Sequence, residues 1–66
     1  TAEGKLLSYL QREQQGGAVK IASFRALADQ LGISRASLYR AMDALAAAGQ
    51  LERQGDTLSL LGSAPD

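Results

Sequence analysis

The chain has 66 residues, one domain at most, and at that size the core is barely large enough to offset chain entropy. Its seven basic and seven acidic residues cancel, and it contains neither cysteine nor histidine. These facts set aside disulfides, thiolate nucleophiles, the commonest zinc ligands and a polyanion partner held by bulk charge; no run nears the ~18 apolar residues of a membrane span and nothing resembles a signal peptide. The expectation is a soluble cytoplasmic domain with no metal or cofactor of its own.

Ala2, Leu6, Leu7, Tyr9 and Leu10 fall on one side of a helical wheel and Gly16-Gly17 ends the pattern, so a first helix is predicted over residues 2–14. The stretch AVKIA then places Val19 and Ile21 on one face and Lys20 on the other, as a brief strand would. Ser23 is a candidate cap for a second helix in which Phe24, Leu27, Ala28 and Leu31 recur at i, i+3, i+4 and i+7, with Gly32 free to take the positive φ that stops it. Ser34 is a candidate cap for a third helix, residues 34–48, whose Leu38, Met42 and Leu45 form one apolar stripe, closed by Gly49.

A hairpin follows: QLER, a turn at QGD, then TLSLL, with Leu51, Leu58 and Leu60 inward and Thr57 and Ser59 outward. The candidate core is Leu6, Leu10, Phe24, Leu27, Leu31, Ile33, Leu38, Met42, Leu45, Leu51, Leu58 and Leu60. Residues 63–66 lack an apolar anchor and are expected to fray, leaving residues 1–62 as the domain. Two short helices joined across a glycine, with a small residue at Ala28 where they cross and a hairpin after the second, predict an α+β, mostly α, winged helix-turn-helix: three helices plus a small antiparallel β-hairpin wing.

The run LADQLGISRASLYRAMDALAAAGQLERQGDTLSLLG, in the resembling segment that covers residues 21–62, is similar to the C-terminal DNA-binding domain of the cyclic-AMP receptor protein/Fnr (Crp/Fnr) family of bacterial transcription regulators. A GntR-type winged helix shares a stretch like LGISR; the RQGDTLSLLG hairpin favours the first family. The resemblance implies that an N-terminal ligand-sensing domain and a long dimerising helix precede this segment. It also implies that the intact regulator is a homodimer with RNA polymerase as a further partner, and that this piece alone binds double-stranded DNA weakly.

On the third helix Leu38 marks the inner face, and the far side gathers Ala36, Arg40, Asp43 and Ala47, with Tyr39 on the flank and Arg35 in the first turn. An α-helix fits the major groove, and the paired donors of arginine match guanine O6 and N7, a contact worth about 1–3 kcal/mol of discrimination. Arg35 and Arg40 are thus the expected base readers, a reading that fails if they point apart or tuck beneath the hairpin with no protruding ridge between them. The family's usual motif is similar to S-R-E, whereas position 36 here is alanine. Ala36 accepts no hydrogen bond but suits a thymine methyl, so the preferred half-site should differ.

Tyr39 has two readings, a contact to sugar, phosphate or base and a half-buried packing role. Arg25, Ser34, Ser37, Arg53 and Thr57 are the expected phosphate contacts, Ser34 serving also as the cap, while Glu52 and Asp56 would make the wing approach DNA through Gln54 and Gly55. Competing surface roles remain: Arg40 paired with Asp29 or Asp43, and Asp43 orienting Arg40. The other function classes are a winged helix used only for protein docking or dimerisation, favoured by neutral charge, and an enzyme, disfavoured because Asp29, Asp43, Glu52 and Asp56 are scattered with no nucleophile near them.

Overall fold

In the computed structural model, which describes residues 1–61, helix α1 runs Ala2–Glu13 and its start is capped by Thr1, whose Oγ1 accepts from the Gly4 N–H at 3.0 Å. Glu3 in its first turn and Arg12 in its last both suit the helix dipole. Strand β1, Ala18–Lys20, follows the glycine pair. Helix α2, Phe24–Leu31, is capped by Ser23 Oγ, which accepts from Ala26 N–H at 3.1 Å.

Helix α2 ends where Gly32 adopts φ 73°. Gly32 N–H donates to Asp29 O (3.1 Å) and Ile33 N–H to Ala28 O (3.0 Å), the paired bonds of a Schellman end. That left-handed residue turns the chain directly into helix α3, Arg35–Ala47. Gly49 closes α3 the same way, with φ 76° and the bonds Gly49 N–H to Ala46 O and Gln50 N–H to Leu45 O. Strands β2, Leu51–Gln54, and β3, Thr57–Leu60, then pair across Gly55 and Asp56.

The wing is a three-stranded antiparallel sheet in the order β1-β3-β2, one strand wider than the expected hairpin. Val19 lies opposite Leu58, and Ile21 N–H reaches Asp56 O at 2.7 Å, so the strand between α1 and α2 anchors the hairpin. This ties the wing to the helices by backbone bonds and not by one flexible connection. The architecture is a winged helix-turn-helix.

Leu6 and Leu10 of α1, Leu27 and Ala28 of α2, Leu38, Ala41, Met42 and Leu45 of α3, and Val19, Ile21, Leu51 and Leu58 at the sheet form the buried core. Each leucine buried in full contributes about 1.5–3 kcal/mol before entropy is subtracted. Phe24, Leu31, Ile33 and Leu60, expected inside, are half-buried. All four stand at element ends or in the turn, where the packed layer thins, while Val19, Ile21, Ala28 and Ala41 fill the centre between the long elements. The expectation of a frayed end concerns residues outside those described.

Candidate nucleic-acid interface

Helix α3 is buried along one side by Leu38, Ala41, Met42 and Leu45, which leaves Arg35, Ala36, Tyr39, Arg40, Asp43 and Ala47 exposed on the other. At 100° and 1.5 Å per residue, Arg35 and Arg40 stand about 140° apart around the axis and about 7.5 Å apart along it. Tyr39, Asp43 and Ala36 occupy the arc between them. The two cations therefore stand at opposite edges of the exposed face of α3, pointing well apart, with Ala36, Tyr39 and Asp43 exposed between them.

The start of α3 is held by Ser34, whose Oγ accepts from Ser37 N–H at 3.0 Å and lies 3.0 Å from Ser37 Oγ. Arg40 Nη2 donates to Ser37 Oγ at 3.3 Å. The hydrogen bond that orients Arg40 thus runs back toward the helix start, not forward to Asp43 as the sequence allowed. Ser34, Ser37 and Arg40 form one chain along that edge, which also borders Thr1, Ala2 and Glu3 at the beginning of α1. Arg35, at the first helical position, has no acidic residue in the first turn to meet it.

The opposite edge of the ridge leads to the wing. Tyr39, 38% exposed, lies against Phe24, the first residue of α2, with ring centroids 5.8 Å apart and planes inclined at 41°. Arg53 of β2 extends over both rings, its Cζ 5.0 Å from the Phe24 centroid and 5.4 Å from that of Tyr39. Its Nε donates to Gly55 O at 3.1 Å. The sequence alone assigns Arg53 to a phosphate and leaves Tyr39 between a DNA contact and a packing role; the fold brings the two together with Phe24.

The signal for this was present in β2. Leu51 is buried, and two residues on Arg53 must emerge from the same side of the strand. Thr57, on the outer side, lies opposite both Lys20 and Gln54, so the exposed lysine that the sequence places on the outward face, with no role assigned, stands beside it. Glu52, opposite Ser59, keeps that outer face mixed in charge. Arg25 is exposed in the first turn of α2.

Among the described residues, no helix is long and apolar enough to cross a membrane, and no three His, Cys, Asp or Glu side chains are grouped to hold a metal ion. The model for the IclR helix-turn-helix domain matches residues 4–55, from α1 through the turn of the wing. The crystal structure of Thermus thermophilus catabolite activator protein is similar over 89% of this chain, with a TM-score of 0.71 and 27% identity; the chain spans 27% of that protein's length. No curated protein matches the sequence.

Proposed function

The chain belongs to the IclR helix-turn-helix domain family, and from that membership we propose that it is the DNA-binding domain of a transcription regulator, entering the major groove with α3. The observation that carries this reading is the exposed ridge of α3, edged by Arg35 and Arg40 and backed by a buried stripe. Arg35 and Arg40 read guanine edges, Ala36 meets a thymine methyl, and Tyr39 contacts the base or sugar beside them. Ser34, Ser37 and the free N–H groups at the start of α3 take a phosphate, with Arg25 and the Thr57 side of the wing on flanking ones.

Roughly three to five phosphate contacts per copy would give a log–log salt slope near −3 to −5. A homodimer of the full-length regulator would set two α3 helices about 34 Å apart. Effector binding, if the regulator has it, belongs to another domain. The domain works in the cytoplasm and carries out no reaction itself.

A Crp/Fnr-type regulator is the second reading, supported by the likeness to the Thermus catabolite activator protein. The test for DNA binding is titration of duplexes recovered by selection from a randomised pool. Arg40→Ala should lose about 1–3 kcal/mol at one base pair and little elsewhere. Equal loss on every sequence would reassign Arg40 to phosphate. A chain with no duplex affinity above background at physiological salt, unchanged by loss of both arginines, would instead be a protein-docking module.

A further inference from the structure

Strand β2 alternates Leu51 in, Glu52 out, Arg53 in, and the register sets Arg53 directly opposite the fully buried Leu58. The arginine therefore leaves the sheet on its core side, yet remains exposed because it lies just past the edge of the core. There its guanidinium covers Phe24 and Tyr39 and its Nε is held by the Gly55 carbonyl. Three separate parts meet at this point: the first residue of α2, the exposed ridge of α3 and the turn of the wing. A guanidinium laid over two rings, with Nε bonded inside its own hairpin, has its orientation fixed by the fold, and only its Nη N–H groups remain free.

We propose that Arg53 is a positioning residue that clamps the wing to α3 and fixes the Tyr39 ring, so that it governs base discrimination through Tyr39 and makes no phosphate contact. This rests on the DNA-binding reading above and assigns a different role from that of an ordinary wing cation. The chemistry requires arginine. Its flat, weakly hydrated guanidinium stacks on rings and keeps Nε free for the turn carbonyl, whereas lysine's compact, strongly hydrated ammonium cannot lie flat on two rings and hold the turn carbonyl at once. Because Arg53 is exposed and no core residue depends on it, its replacement leaves the fold intact.

The experiment compares the wild-type chain with Arg53→Lys and Arg53→Met, first without DNA. Both variants should shift the NMR ring resonances of Tyr39 and Phe24 and speed amide exchange at the wing turn, with helix content unchanged. Each is then titrated with a duplex recovered from a randomised pool and with an unrelated duplex, from 50 to 200 mM salt. The ratio of specific to non-specific affinity should fall roughly two- to tenfold in both variants, and the salt slope should stay at the wild-type value.

A slope smaller by about 0.9 in Arg53→Met and restored in Arg53→Lys, with the ratio intact, would make Arg53 a phosphate contact and overturn the proposal. Unshifted ring resonances in Arg53→Met would overturn it without reference to DNA. If the wild-type chain binds no duplex, the DNA-binding reading fails and the claim on discrimination fails with it, while the clamp itself is decided by the DNA-free spectra.

Discussion

Arg35 is placed where it weakens the folded domain and where, on the proposed reading, it serves the DNA. It is the first residue of α3, exposed, with the free N–H groups of that turn giving the helix end about half a positive charge and no acidic side chain there to offset it. A cation at such a site costs about 0.3–1 kcal/mol at low ionic strength. Arg35→Gln removes the charge with little change in helix propensity, and at about 4–8 °C per kcal/mol for a domain of this size it should raise Tm by roughly 1–8 °C. Arg35→Glu should raise it further. In 1 M salt, where the Debye length is about 3 Å, the gain should largely vanish. The same substitution should weaken binding to a selected duplex by about 1–3 kcal/mol, a loss of roughly 5- to 150-fold. Thermal melts at two salt concentrations and duplex titration on one preparation read both effects. An Arg35→Gln chain that melts below wild type, or binds the duplex as tightly, would refute the reasoning.

Ser34→Ala removes the Ser37 N–H acceptor and the neighbour that orders Ser37 beneath Arg40, and should cost about 1 kcal/mol, or 4–8 °C in Tm. Ser34→Asp should melt at or above wild type, since it caps and suits the dipole, yet bind duplex more weakly because its carboxylate faces a phosphate; melts and titrations separate the two. Leu38 is 0% exposed, so Leu38→Ala should cost about 2–5 kcal/mol of a total of about 3–5, lowering Tm by roughly 8–40 °C in a circular-dichroism melt. Leu61→Ala, at a residue 40% exposed, should change stability by no more than about 0.5 kcal/mol.

The helices were legible because their ends carry local chemistry. Ser23 and Ser34 cap, Gly32 and Gly49 stop, and each of these acts within four residues of itself. Depth was less legible. A period of 3.6 assigns Phe24 and Leu31 to the inner face of α2, but whether that face is covered at its ends depends on which distant elements extend over it. The third strand shows the same limit: the alternation around Val19 marks a strand, while its pairing with Leu58 is a contact between residues far apart in the chain that no local period encodes.

The site divides along the same line. Every ridge residue of α3 lies on one helix, so a single wheel places Arg35, Ala36, Tyr39 and Arg40 on the outside without any knowledge of the rest of the fold. Arg53 needed two further facts: that strand alternation applies to a charged residue, and that Phe24 and Tyr39 converge where its side chain emerges. An ionic side chain at an inward position is readily assigned to solvent, but arginine satisfies both demands by laying an apolar stem along the core edge and its flat head on aromatic faces. If a domain with no surplus positive charge is to attract DNA through a few contacts, their positions must be held, and on the proposed reading the residues that hold them, such as Ser37 beneath Arg40 and Arg53 over Tyr39, bear on recognition as directly as those that touch a base.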